Sequence, residues 1–213
     1  MNDLMQAGLF PADPAPAVSR LATPRDRAID WAVKIVHNPN AVYLDTETTG
    51  LDLSAEVCDI GIVASDGTVL LDTLVRPRNP IPADATDVHG ITDAMVAEAP
   101  TFPEIVETVR SLITGKLVVV YNVSYDLPVL NRLCQTHGVP ALSLDIAGRG
   151  CAMLAFSDFE GTLNAYGKPK WHRLDVAAAR FGIPPGGHRA LADAQTARLV
   201  VAALAREQIG ARA

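Results

Sequence analysis

Basic residues are the first shortage in this chain. Its 213 residues carry 18 Lys and Arg against 24 Asp and Glu, a formal net charge of −6, and the isoelectric point lies near 5.3. That balance argues against a broad nonspecific surface for nucleic acid, which needs a clustered positive field. Contact with phosphates would have to come from a few local side chains, and such binding is weak and strongly salt-dependent. Cysteine is scarce as well. Cys58, Cys134 and Cys151 are widely spaced with no C-x-x-C pair, and Cys58 and Cys134 sit in apolar runs where they read as small core residues. No apolar stretch is long enough to span a bilayer, no basic start followed by an apolar core marks a secretory leader, and no internal repeat is visible. These shortages fit a cytoplasmic protein with reduced thiols. The 49% hydrophobic and 20% charged content suits one globular domain plus an extension.

What is present divides into three stretches. Residues 1–22 read as a disordered arm, because Pro11-Ala12-Asp13-Pro14-Ala15-Pro16 is low-complexity and cannot form a regular helix. Thr23 followed by Pro24 marks a helix start, and the helix expected over 23–37 gathers Ile29, Ala32, Val33 and Val36 on one face. The remainder, 38–213, alternates apolar strand runs with helical patterns. Strands are expected at 41–46, 57–63, 69–75, 117–121 and near 142–146, the second and third forming a hairpin about Asp66-Gly67. The expected fold is α/β, a mixed sheet flanked by helices, with acidic residues gathered at strand ends.

Those acids carry the chemistry. In Ala41-Val42-Tyr43-Leu44-Asp45-Thr46-Glu47-Thr48-Thr49-Gly50 an apolar run ends in two carboxylates two residues apart. Residues i and i+2 of a strand share a face. Asp45 and Glu47 would either run out into solvent as hydrated acids or, packed side by side, repel each other and take a hard divalent cation such as Mg²⁺ or Mn²⁺. A second run, Lys116 to Tyr121, leads into Asn122-Val123-Ser124-Tyr125-Asp126. Ser124 reads as the cap of a helix that carries Asp126 in its first turn. Near the C-terminus, Gly186-Gly187-His188-Arg189-Ala190-Leu191-Ala192-Asp193-Ala194 opens an Ala-rich helix. His188 lies in the loop before it and Asp193 inside it, and the glycines can let the imidazole reach over a site to which Asp193 contributes.

D-x-E-T-T-G, then N-x-x-x-D, then H-x-x-x-x-D-A resembles the DEDDh exonucleases, the DnaQ-like three-prime to five-prime family. The stretches Arg76 to Pro82, Val88 to Thr92 and Ala99 to Phe102 are also similar to that family, so the resemblance covers roughly residues 38–206. It departs at Tyr121, where a histidine often precedes the asparagine, and at Tyr125, which is often Phe. The resemblance implies a ribonuclease-H-like five-stranded sheet and a phosphodiesterase with two divalent ions, Mg²⁺ or Mn²⁺. Asp45 would bridge them, with Glu47, Asp126 and Asp193 completing the shell. One ion lowers the pKa of the attacking water and the other stabilises the leaving oxygen. His188 would accept the water's proton, a task suited to a side chain type that titrates near neutrality. Nucleoside monophosphates would leave from a free three-prime end, with single-stranded DNA favoured over RNA. An RNA-trimming enzyme, or a noncatalytic nucleic-acid or replisome adaptor on the same scaffold, is the alternative. The adaptor has no need for four clustered carboxylates.

The same resemblance assigns Thr48, Gly50 and Leu51 to substrate contact, with Leu51 beside the terminal base, and adds Asn122 from the second motif. His89 would either approach the site or stabilise a turn. Lys168, Lys170, His172, Arg173 and Arg189 would hold phosphates or form a solvated face. Phe156, Phe159, Tyr166 and Trp171 could stack on bases, with core packing the preferred reading for Phe156 and Trp171. Outside the domain, Gln6-Ala7-Gly8-Leu9-Phe10 resembles the short bacterial sliding-clamp-binding peptide, two apolar anchors on a flexible tail. No polymerase motif is present, so a polymerase would be a separate partner.

Overall fold

The computed structural model describes residues 22–207. The stretch 1–21, which holds Gln6–Phe10, and residues 208–213 lie outside them. Elements are numbered in chain order. Helix α1 spans Pro24–Val36, starting where Thr23 and Asp26 form a reciprocal capping box: Asp26 N donates to Thr23 Oγ1 (3.1 Å) and Thr23 N donates to Asp26 Oδ2 (2.9 Å). Its buried face is Ala28, Ile29, Ala32 and Ile35. That is rotated from the expected stripe, and Val36 lies exposed. The rotation follows from what α1 touches, since it wedges between the two later helices α6 (Ala152–Glu160) and α8 (Ala190–Ala205).

Five strands form one mixed sheet: β1 (Ala41–Thr48), β2 (Val57–Ala64), β3 (Val69–Leu74), β4 (Leu117–Val120) and β5 (Gly148–Cys151), in the order β3-β2-β1-β4-β5. β2 runs antiparallel to β1 and β3, while β4 lies parallel to β1 and β5 parallel to β4. The hairpin turns at Gly67, whose φ of 94° suits a residue without Cβ. The fifth strand is not near 142–146. Leu142–Leu144 is a 3-10 turn with Leu142 buried, and the strand follows at Gly148-Arg149-Gly150-Cys151. This strand has no apolar alternation to announce it. Its backbone pairs with β4, and Gly150 makes room for α1, because a Cβ there would stand 2.9 Å from Trp31 Cζ2.

The sheet separates two cores. On one face α1, α6, α7 (Leu174–Arg180) and α8 cover Tyr43, Val63 and Val119. On the other, α4 (Phe102–Ile113) and α5 (Val123–Thr136) cover Val42, Leu44, Ile60, Val118 and Val120. The two short helices α2 (Ala83–His89) and α3 (Asp93–Val96) close a third cluster on Cys58, Ile81, Ala85 and Ile91. Cys58 and Cys134 are buried, as their apolar surroundings imply. Helix α5 starts two residues earlier than a Ser124 cap would place it, with Asn122 as N-cap and Ser124 exposed inside the first turn. No helix among the described residues is long and apolar enough to cross a membrane.

One contact sets where the last helix can lie. Gly61 of β2 faces Asp45 of β1 across the ladder. A Cβ built on Gly61 would meet Leu191 N at 2.3 Å and Ala190 C at 2.4 Å, both backbone atoms of the first turn of α8. Backbone cannot step aside as a side chain end can, so only glycine allows this approach. We expect Gly61→Ala to destabilise the protein by roughly 2 kcal/mol or more, the scale of overpacking a close-packed interior. Gly50→Ala, where nothing lies within 4 Å of the added Cβ, serves as the control and is expected to shift stability by less than about 0.5 kcal/mol. Urea unfolding of the two variants checks this, and equal midpoints would refute the packing argument.

Candidate active site

Tyr43, Asp45 and Glu47 alternate along β1, so both carboxylates continue the face that Tyr43 packs beneath α8. α8 brings its first-turn Asp193 to the same place. Oxygen atoms of Asp45, Glu47 and Asp193 all lie within 4.8 Å of one another. Asp126 arrives from the opposite side of the sheet, in the first turn of α5. It is buried, and its Oδ1 accepts hydrogen bonds from Thr46 N (3.1 Å) and Thr46 Oγ1 (2.8 Å). All four acids and His188 line one open cavity of about 690 Å³.

The approach of Asp193 is tight enough to dictate the preceding loop. A Cβ on Gly186 would fall 1.9 Å from Asp193 Oδ1, so the chain passes over the carboxylate only as glycine. Gly187 follows at φ 77° and His188 at φ 56°. The left-handed region costs a non-glycine residue about 1–2 kcal/mol. The conformation holds the His188 side chain half-exposed at the cavity, with Nδ1 4.0 Å from Asp193 Oδ2. Behind this loop sits a group that the sequence motifs did not mark. Asp59, fully buried on β2 and opposite Glu47 in the ladder, accepts from Arg189 Nε (2.8 Å) and from Ala190 N (3.2 Å) through Oδ2, and so caps α8 from outside the helix. An acid inside the apolar run Val57-Cys58-Asp59-Ile60-Gly61 was the available signal. Arg189, read from sequence as either a phosphate contact or part of a solvated face, has this buried carboxylate as its partner.

The other residues read as substrate contacts fall in different places. Asn122 lines the cavity, and its buried Oδ1 has no hydrogen-bond partner among the described residues. Thr48 and Gly50 are tied to α5: the Tyr125 hydroxyl lies 2.6 Å from both Thr48 Oγ1 and the Gly50 carbonyl oxygen. Leu51 projects into solvent, 87% exposed, just beyond the first motif. His89 is not in the cavity. It is buried behind the first motif, with Nε2 3.3 Å from the Thr48 carbonyl and 3.8 Å from Cys58 Sγ, while Nδ1 accepts from Ile91 N (3.1 Å). Its role in the fold is to brace the turn, and burial lowers its pKa. Phe156 and Phe159 are core residues. Trp171 is not: it stands 65% exposed at the cavity rim, against the packing read for it from sequence. His172, Arg173 and Asp175 line the same rim.

The acids do not rest easily together. Burial, then the neighbouring Asp126, Glu47 and Asp193, raise Asp45 well above the ordinary carboxylate range. Burial and the charges of Asp193, Asp59 and Asp126 push Glu47 up to about 8, against a smaller opposing pull from Arg189. Burial raises Asp126 to about 6, partly offset by the Thr46 hydrogen bonds, and it raises Asp193, with His188 opposing. The set is all oxygen, anionic, crowded and under-compensated. It fits hard divalent cations, which would remove the mutual repulsion.

The sign of the stability effect follows. A carboxyl with a raised folded-state pKa stabilises the fold while it stays protonated, below its unfolded value, and that contribution is lost as pH rises through the folded value. With chelator present, thermal stability is therefore expected to fall between about pH 5 and about pH 9, spanning the transitions of Asp126 and Glu47. Adding Mg²⁺ or Mn²⁺ should raise the melting temperature more at the alkaline end than at the acidic end. Scanning fluorimetry across that range checks both. A metal-induced shift that does not depend on pH would refute the crowded-carboxylate account.

Comparison with known proteins agrees with this geometry. The family model RNase_T, described as Exonuclease, matches residues 42–201. An uncharacterized exonuclease of Escherichia phage 186 is 37% identical over 190 residues, covering 87% of this chain and 95% of the phage protein. The DNA polymerase III subunit epsilon of Treponema pallidum is 28% identical over 174 residues, covering 78% of this chain and 76% of that one. Among solved structures, E. coli Exonuclease I in complex with a dT13 oligonucleotide superposes with a TM-score of 0.63 at 17% identity, over 75% of this chain and 39% of that one. The nuclease domain of 3′hExo, a DEDDh family member bound to rAMP, gives 0.61 at 16% identity, over 77% and 90%. At such identities these two show the shared ribonuclease-H-like fold. The family model and the phage relative carry the assignment: the chain belongs to the RNase_T exonuclease family and is a three-prime to five-prime exonuclease of the DEDDh type.

Proposed function

We propose that the protein shortens single-stranded DNA from its three-prime end by a two-metal mechanism, releasing nucleoside five-prime monophosphates. The observation that carries this reading is the convergence of Asp45, Glu47 and Asp193 within 4.8 Å, in a cavity shared with Asp126 and His188. Divalent cations held by these four carboxylates would supply a lowered pKa for the attacking water and neutralisation of charge on the phosphate and the leaving oxygen.

The chain's own groups do the rest. His188 is held over the cavity by its left-handed backbone, where the imidazole can accept the proton released by the attacking water. Arg189, bound to Asp59, pins the helical end of that loop, so the imidazole is positioned rather than free. Thr46 fixes the orientation of the Asp126 carboxylate. Asn122, at the end of the cavity where α5 begins, would meet the substrate there. Leu51, exposed beside the first motif, would pack on the terminal base, and the Thr48–Tyr125–Gly50 contacts tie down the turn before it. DNA is favoured because the relatives include epsilon subunits of DNA polymerase III. On the same ground a separate polymerase is the proposed partner.

Five-prime-labelled single strands of DNA and RNA, incubated with Mg²⁺, Mn²⁺ or chelator, test the reading. A metal-dependent ladder shrinking from the three-prime end, faster on DNA, is expected. Asp45→Ala and Asp193→Ala should each lower turnover by about a thousandfold or more, and His188→Ala by roughly a hundredfold or more, the range of general-base effects. An Asp193→Ala protein that kept most of its activity would remove Asp193 from the metal site. A faster ladder on RNA would reverse the substrate assignment.

A further inference from the structure

Between α6 and α7 a small β-hairpin, residues 162–170, stands out from the fold with every residue exposed. It is nonetheless held by its own hydrogen bonds. Leu163 and Pro169 form an antiparallel bridge, Lys170 N donates to Thr162 O (2.8 Å), and Asn164 N donates to Lys168 O (2.8 Å). Asn164 Oδ1 accepts from Tyr166 N and Lys168 N, closing a turn that passes through Gly167 at φ 71°. Its base is anchored at His172. The Tyr121 hydroxyl donates to the His172 carbonyl (2.8 Å), His172 Nε2 lies 3.1 Å from Thr162 Oγ1, and the His172 ring stands edge-on to Phe156 at 5.4 Å.

This pinned hairpin shows solvent the side chains that a fold usually hides. Tyr166 is 88% exposed, Leu163 61% and Trp171 65%. Apolar surface of this kind, on a rigid element next to a cavity, marks a binding surface. Lys168 and Lys170 lie together between Tyr166 and Trp171, and among the described residues neither has an ion-pair partner. Aromatic rings on either side of two unpaired cations suit a single strand, whose bases stack and whose phosphates need positive charge. Trp171 also lines the cavity of Asp45 and Glu47, so the hairpin continues directly from the site.

We propose that the hairpin 162–170 and Trp171 form a strand-binding arm that grips single-stranded DNA upstream of the nucleotide being removed. Trp171 stacks on a base there, while Lys168 and Lys170 hold the backbone. The proposal rests on the exonuclease reading of the cavity and adds the path of the substrate to it. It also assigns Tyr121, through its bond to the His172 carbonyl, as the residue that fixes the arm to the end of β4.

The test separates the arm from the chemistry. The p-nitrophenyl ester of thymidine five-prime monophosphate carries the terminal nucleotide but no upstream strand, and a thymidine 15-mer carries both. Trp171→Ala and the pair Lys168→Ala with Lys170→Ala are expected to raise KM for the 15-mer about tenfold. Hydrolysis of the ester by the lysine pair variant, whose side chains lie outside the cavity lining, should stay within about twofold of the unaltered protein. Anisotropy of a labelled 15-mer with chelator present should show the same tenfold loss of affinity, and the lysine pair should also flatten the salt dependence. Unchanged KM and affinity for the 15-mer in both variants would overturn the proposal, as would an equal loss on the ester. Tighter binding of a uridine 15-mer than of the thymidine one would overturn DNA as the occupant. A native protein that binds the 15-mer in an arm-dependent way, yet cleaves neither substrate, would instead remove the exonuclease reading and leave the arm standing.

Discussion

The close approach of α8 to β2 is the constraint on which the rest of this structure depends. A helix backbone touches a strand backbone at Gly61, directly across the ladder from Asp45. Two positions along the same strand, Asp59 reaches up to cap Ala190 and hold Arg189. The glycine sets how close the helix comes, and the aspartate sets where its first turn begins. Together they place Asp193 against Asp45 and Glu47. They also leave the His188 loop only one way over the carboxylate, through Gly186. The Asp59–Arg189 pair, buried on its carboxylate side and open to solvent on the other, is weak evidence for stability, because desolvation of the acid offsets much of its attraction. Its consequence here is registry, since a helix start fixed to within a hydrogen bond positions every acid it carries.

The second organising feature is a repulsion. Natural folds seldom bury several carboxylates within reach of one another, and here burial and mutual charge both favour the protonated forms. The two cores on either side of the sheet supply the cohesion that tolerates this arrangement at its end. The acids come from three elements that approach from different sides: β1 from within the sheet, α8 from one face and α5 from the other. No single element could relax the crowding by bending away without losing its own packing. The crowding is therefore built in by the packing of three separate elements.

Much of this was legible in the residues, and the exceptions share a cause. The Asp45 and Glu47 pair could be placed on one face because strand periodicity is local, and Thr23-Pro24 could be read as a helix start because capping is local. The hairpin turn at Asp66-Gly67 was readable for the same reason. Strand β5 was not. Gly148-Arg149-Gly150-Cys151 has no pattern of its own and is a strand only because β4 offers it a parallel edge and Trp31 needs the space above Gly150. Ser124 looked like a cap, yet the helix begins at Val123 behind Asn122, just after the chain leaves β4. Trp171 looked like a core residue by its type, and it lies at the rim because the hairpin before it stands outside both cores.

By itself the sequence determined the chemical inventory: four carboxylates and one histidine in an order and spacing shared with a known family, on strands and helices whose periods are written in neighbouring residues. Only the tertiary structure decided which oxygens meet, because that depends on pairs far apart in the chain, Asp45 with Asp193 and Asp59 with Arg189. It alone separated His89, buried behind the first motif, from His188, half-exposed over the acids. It alone exposed Trp171 beside the cavity. The physical reason is one of range. Backbone periodicity and capping act over three or four residues, whereas burial, charge crowding and backbone-to-backbone contact are properties of a packed whole.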